Sequence, residues 1–215
     1  MKILFSFISA CVLALALAFA FAAAPAAAVT LKDVERAMAA TKTMQADFAQ
    51  TSATGQVARG TMALKRPGRI RFDYAGNTPY LVVSNGSTLS FVDYQVSQVS
   101  QWPVRSTPLG VLLDPEADLA RVARVLPEAQ SPIPGQIAVL AEDSKKPELG
   151  RITFFLAPDK AAPGGLRLTG WRVTDAQNNL TTVQLSNIRT NMALSDSGFN
   201  FRDPRKRTGP RGRVG

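Results

Sequence analysis

The side chains that most often carry enzyme chemistry are scarce in this sequence. It contains no histidine and a single cysteine, Cys11. Without histidine there can be no Ser-His-Asp or Cys-His nucleophile system and no histidine-bearing zinc site. The Ser-x-x-Lys and Gly-x-Ser-x-Gly motifs are also absent from the sequence. Gly55 and Gly60 have P-loop spacing, but Thr61 follows where that motif requires lysine.

Carboxylates remain as possible acid and base groups. The aspartates in question are Asp47, Asp73, Asp93, Asp114 and Asp143. Nothing in their spacing selects a pair, and aspartates of this kind are typical of turns and solvated strand faces. The sequence therefore predicts a protein that is not an enzyme and holds no metal and no cofactor. An enzyme acting on lipid is the least favoured alternative.

Residues 1–28 predict a cleavable signal peptide. Lys2 gives a positive start, an apolar stretch follows over residues 3–24, and the small residues at 25–28 resemble a cleavage site. We predict cleavage after Ala28. Two alternatives stay open, because the apolar stretch is long enough for a retained membrane anchor and Cys11 lies in a weak lipobox-like context that would lipidate it.

The net charge of +9 is concentrated at the carboxyl end of the chain. Residues 202–215 contain Asp203 and the bases Arg202, Arg205, Lys206, Arg207, Arg211 and Arg213. The rest of the chain is nearly balanced, which argues against a nucleic-acid partner. We predict that this tail is disordered, and that it is either solvated or in contact with anionic lipid head groups.

Helical periodicity appears at three places. Thr30 and Asp33 have the spacing of a capping box, and the apolar residues after them predict an amphipathic helix from Leu31 to about Lys42. Shorter helices are predicted at 107–113 and 116–126. Residues 127–135 and 157–166, which are rich in proline and glycine, are predicted to be loops.

Alternation with a period of two dominates the rest of the chain. In residues 69–74 it places Ile70, Phe72 and Tyr74 on one face of a strand. Such runs predict ten strands, at 45–53, 59–65, 69–74, 80–84, 88–93, 96–102, 136–141, 151–156, 167–175 and 180–188. We predict a mainly β, single domain over residues 29–201, built as an antiparallel meander.

The apolar face of such a sheet has to be covered. The sheet can close on itself as a barrel, or it can curl and be covered by helices. The predicted helices favour a helical lid. The pattern fits both a packed interior and a cavity beneath that lid.

Five segments, in order, resemble the outer-membrane lipoprotein carrier family, the LolA-type periplasmic chaperones. They are Phe48-x-Gln50, Gly60-x-Met-x-Leu-Lys-Arg-Pro67, Ile70-Arg-Phe-Asp-Tyr74, Leu81-Val-Val-Ser-Asn-Gly86-x-x-Leu89 and Thr107-Pro-Leu109-x-x-Leu-Leu113. The later Gly150-Arg-Ile-x-Phe154 and Phe199-Asn-Phe201 also fit the family. Some members carry a further strand after the last of these segments, whereas here Asp203-Pro204 and the basic tail follow.

The resemblance implies a curled antiparallel sheet that forms an incomplete barrel, covered by a helical lid over an apolar cavity. It implies that Arg66 is the latch that holds the lid closed through hydrogen bonds to lid backbone. We expect an acyl-binding cavity formed by Met62, Leu64, Ile70, Phe72, Leu89, Phe91, Phe154 and Trp171. We expect lid contacts from Leu31, Val34, Met38, Leu109 and Leu112.

In function, the resemblance implies a monomeric periplasmic chaperone that carries acylated lipoproteins from the inner to the outer membrane. The implied partners are the lipoprotein cargo, an inner-membrane lipoprotein-releasing ABC transporter and an outer-membrane lipoprotein receptor. Two alternatives of the same fold are a lipid-anchored outer-membrane receptor, which would need a lipidated amino terminus, and a periplasmic lipoprotein sensor. Sensors of this kind usually carry a second domain.

Overall fold

The structure is a computed structural model that describes residues 28–114 and 118–205. The described helices are α1 (Leu31–Ala40), α2 (Leu109–Leu113) and α3 (Leu119–Val122). The strands are β1 (Thr43–Thr51), β2 (Val57–Lys65), β3 (Arg69–Tyr74), β4 (Tyr80–Asn85), β5 (Thr88–Asp93), β6 (Gln98–Pro103), β7 (Ala123–Val125), β8 (Ile137–Glu142), β9 (Arg151–Pro158), β10 (Leu166–Thr174) and β11 (Leu180–Thr190). The predicted signal peptide, up to residue 27, and residues 206–215 of the predicted tail lie outside the described residues.

All eleven strands belong to one antiparallel sheet in the order β6-β5-β4-β3-β2-β1-β11-β10-β9-β8-β7. The predicted mainly β, antiparallel fold is therefore confirmed. The prediction of one continuous meander is wrong, because β1 pairs with β11 and joins two meanders at the centre of the sheet. The free edges are β6 and β7, which do not pair with each other, so the barrel is incomplete.

Strong curl brings distant strands into contact on the inner face. β3 and β10 are separated by β2, β1 and β11, which would place them about 19 Å apart in a flat sheet. The ring centroids of Phe72 on β3 and Trp171 on β10 are nevertheless only 6.0 Å apart. Large aromatic side chains thus meet across the interior and fill the centre of the barrel.

The prediction of a helix over residues 116–126 is largely wrong. α3 covers only Leu119–Val122, and residues 123–125 form β7, which pairs with β8. Residues 115–117 lie outside the description. A short apolar run cannot be assigned by periodicity alone, because the partner strand decides between helix and strand.

The helix α1 is slightly shorter than predicted. It ends at Ala40 instead of Lys42, because Thr41 has extended torsion angles and β1 begins at Thr43. Its predicted capping box is confirmed, since Thr30 and Asp33 exchange side-chain and backbone hydrogen bonds. Among residues 28–114 and 118–205, no helix is long and apolar enough to cross a membrane.

A second, smaller apolar cluster lies on the outer face of the sheet. Leu81, Val83 and Val92 from β4 and β5 pack there against Phe199. Phe199 belongs to residues 191–201, a segment that follows β11 and that we call the strap. The strap therefore covers the outer face of this part of the sheet, while Leu89 on its inner face belongs to the main core.

Candidate functional site: the inner face and its lid

Seven of the eight predicted cavity residues lie together in the main apolar core. These are Met62, Leu64, Ile70, Phe72, Leu89, Phe154 and Trp171, each no more than 9% exposed. Phe91 lies apart from this core. It is half-buried near the β6 edge, where its ring is 5.5 Å from that of Tyr80.

The predicted lid residues pack on this core. Val34, Met38 and Leu112 are buried in it, and Leu31 and Leu109 pack against it while remaining partly exposed. The free space between α1, α2 and the sheet is only about 20 Å³. Small-molecule pockets measure about 300–1,000 Å³, so the lid is closed over this part of the inner face.

Sequence reasoning missed part of the surface beneath α1, which includes Leu156 on β9 and Leu166 and Leu168 on β10. A β-bulge between Leu168 and Gly170 changes which residues of β10 face inward. Strict alternation counted from Trp171 would have turned Leu166 and Leu168 outward. Leu156, two residues after Phe154, could have been found by alternation alone.

A glycine turn holds α1 closely against the rest of the molecule. Gly164, in the turn at 163–165 between β9 and β10, has a positive φ of 70°. A Cβ atom at this position would lie 2.5 Å from the Cα atom of Ala37, in the middle of α1. Only glycine fits this contact without moving the helix.

Arg66 connects the sheet to both sides of the lid. It follows β2 and is only 8% exposed. Its Nη1 donates to the carbonyl oxygen of Thr41, at the end of α1, over 2.5 Å. Its Nε and Nη2 both donate to the carbonyl oxygen of Leu112 in α2, over 3.1 and 2.9 Å. One guanidinium group therefore binds the backbone directly after α1 and the backbone within α2.

The environment of Arg66 disfavours its charge. Burial lowers the pKa of its guanidinium to about 10, so the group stays protonated at neutral pH. Carbonyl oxygens at the end of a helix carry partial negative charge, which suits them to accept from a buried cation. A buried arginine held only by such bonds is costly to desolvate, and displacement of the lid would rehydrate it.

Comparison with known proteins identifies the family. Residues 39–202 match the model of the outer membrane lipoprotein carrier protein LolA family. The chain belongs to this family. The match begins near the end of α1 and extends through the strap, so it includes Arg66 and the whole sheet.

Individual members of the LolA family are distant relatives. The chain is 28% identical over 173 residues to an outer-membrane lipoprotein carrier protein from Methylococcus capsulatus, covering 76% of this chain and 78% of that protein. It is 29% identical over 170 residues to a protein of the same name from Chromobacterium violaceum, covering 76% and 79%. A LolA superfamily structure from Nitrosomonas europaea aligns with a TM-score of 0.45 at 12% identity, covering 81% of this chain and 99% of that one.

The possible metal-ligating side chains of this LolA-family chain are its acidic residues and its single cysteine. Within residues 28–114 and 118–205, no three acidic or cysteine side chains are grouped in a way that could hold a metal ion. Asp47 and Asp73 lie on the outer face of the sheet, where they bond to Asn187 and Arg71.

Proposed function

We propose that this protein is a periplasmic carrier that binds the acyl chains of lipoproteins and transfers them from the inner to the outer membrane. Membership of the lipoprotein carrier family supports this function. The observation that carries it is an apolar inner face covered by helices that a single buried arginine ties to the sheet. No covalent step is needed for such a carrier.

Binding requires that the lid move away from the sheet. The space enclosed beneath α1 is only about 20 Å³, which is too little for an acyl chain. A water-exposed acyl chain costs about 0.8 kcal/mol per methylene group, and displaced helices would uncover apolar side chains able to offset that cost. Arg66 is the lid latch in this scheme, because opening must break its bonds to Thr41 and Leu112. The predicted cavity residues would then line the opened space.

The proposed cycle includes two membrane partners. An inner-membrane ABC transporter would load the carrier, and an outer-membrane receptor would accept the cargo. The test is to isolate the protein from a periplasmic fraction and to identify bound lipoproteins by mass spectrometry. Purified protein should also release lipoproteins from inner-membrane vesicles that contain the transporter, and failure in both experiments would refute the carrier function.

The same preparation tests the lipid-anchored receptor as the alternative. A mature protein that begins at Val29 without an added acyl group is expected for a carrier. An intact mass that includes lipid would instead support the receptor. Recovery of the protein from the soluble periplasmic fraction would agree with the first result.

A further inference from the structure

The junction of α1 and β1 determines how the lid helix can move. α1 ends at Ala40 and β1 begins at Thr43, so Thr41 and Lys42 alone lie between them. β1 pairs with β2 on one side and with β11 on the other. Because β1 is fixed in the middle of the sheet, α1 can leave the sheet only through rotation at Thr41 and Lys42. We call these two residues the hinge.

A single peptide group of the hinge is hydrogen-bonded from two directions. Its carbonyl oxygen, on Thr41, accepts from Arg66. Its N–H, on Lys42, donates to the side-chain Oδ1 of Asn191 over 2.8 Å. The Nδ2 of Asn191 also donates to the carbonyl oxygen of Ala40, the last residue of α1, over 3.0 Å. Rotation of this peptide group would therefore strain bonds on both of its sides.

The backbone holds Asn191 in place independently of these side-chain bonds. Its own N–H donates to the carbonyl oxygen of Thr43 over 2.9 Å, and its φ is 56°. Asparagine tolerates this left-handed conformation better than most residues. The next residue is also held, because the hydroxyl of Thr43 donates to the carbonyl oxygen of Met192 over 2.6 Å.

These contacts form a symmetrical arrangement around β1. Arg66 directly follows β2 and Asn191 directly follows β11, the two strands that flank β1. We infer that Asn191 is a second positioning residue of the lid, which restrains the hinge peptide from the side opposite Arg66. Its consequence for cargo loading rests on the proposed carrier function, whereas its restraint on α1 does not.

Replacement of Asn191 by glycine isolates the side-chain contribution. Glycine adopts the left-handed conformation without strain. N191G therefore removes the two hydrogen bonds made by the Asn191 side chain and keeps the backbone conformation. Asn187 offers a matched control, because it also has a positive φ of 50° and its amide donates to Asp47, away from the hinge. N187G therefore makes the same chemical change without touching α1.

Hydrogen exchange followed by mass spectrometry is the measurement, on peptides from α1 and from β3–β5 of the free protein. In N191G we expect α1 to exchange about threefold to tenfold faster, because two hydrogen bonds that oppose its opening are lost. In N187G, α1 should exchange as in the unmodified protein. Exchange in β3–β5 should change equally in the two variants.

Two results would overturn the inference. The first is unchanged α1 exchange in N191G. The second is that α1 and β3–β5 exchange faster by the same factor, and do so in both N191G and N187G, which would indicate general destabilisation. The R66L/N191G double variant gives a separate criterion. Because Arg66 and Asn191 bond to the same peptide group, their effects on α1 exchange should not be additive, and strict additivity would contradict a shared hinge. No lipoprotein is needed, so this result and the test of the carrier function can fail independently.

Discussion

Replacement of Arg66 by leucine should shift the lid towards its open state. The substitution removes the donors to the carbonyl oxygens of Thr41 and Leu112. A buried carbonyl that loses its partner costs about 1 kcal/mol or more, whereas both oxygens can reach water when the lid opens. Removal of a buried charge offsets part of this free-energy cost, because burial disfavours the charged guanidinium and lowers the pKa of Arg66 to about 10. We expect the closed state to lose about 1–2 kcal/mol, which corresponds to a roughly five- to thirtyfold larger open population.

The shift has a measurable effect on binding. The space beneath α1 is too small for an acyl chain in the closed state, so the chain binds there only in the open state. Its apparent affinity should therefore rise by the same factor as the open population. The assay is titration with a fluorescent fatty-acyl probe, followed by the rate at which the probe is transferred to acceptor vesicles. R66L should bind the probe more tightly and release it more slowly.

A matched control separates this effect from the general loss of an arginine. Arg59 lies on β2, the strand that Arg66 directly follows, but its side chain is exposed on the outer face. R59L should therefore bind the probe like the unmodified protein. Equal affinities for R66L and the unmodified protein would refute the role of Arg66 as the latch. Tighter binding in R59L as well would show that added apolar surface, not lid opening, is responsible.

Three further predictions concern the lid and the core. G164A should loosen α1 and speed its hydrogen exchange. The control G165A carries similar backbone strain, at a φ of 82°, but its added Cβ atom would meet no atom within 4 Å. Equal exchange of α1 in the two variants would contradict the role of the Gly164 contact. F72A should lower the free energy of unfolding by about 3–5 kcal/mol in urea titration, against about 1 kcal/mol or less for the half-buried F91A. Hydrogen bonds from Thr30 lower the pKa of Asp33. The stabilisation of α1 by Asp33 is therefore present above the usual aspartate pKa of 3.8 and is lost as the pH falls through the lowered pKa. D33N should abolish this acid-dependent fraying, measured by hydrogen exchange of α1.

Much of the sheet follows from local sequence pattern. The alternation of Ile70, Phe72 and Tyr74 predicted a strand with an apolar inner face, and β3 has those bounds. Pattern failed at residues 123–125 and at Leu166 and Leu168. In the first case a pairing partner decided the conformation, and in the second a bulge reversed the alternation. Both depend on strands that are distant or irregular, which a window of neighbouring residues does not contain.

The sequence by itself determined the chemical character of the protein. The lack of histidine, the near absence of cysteine and the alternating apolar strands all favour binding by apolar surface. The family resemblance pointed to Arg66, which sequence reasoning alone would have assigned to a turn.

The tertiary structure alone decided how the apolar face is closed. The pairing of β1 with β11 brings Asn191 to the hinge, 149 residues after Lys42. It also brings Phe72 and Trp171 together across the interior, where their ring centroids lie 6.0 Å apart. Local sequence does not encode these contacts, because they depend on the curl of the whole sheet and on which strands become neighbours.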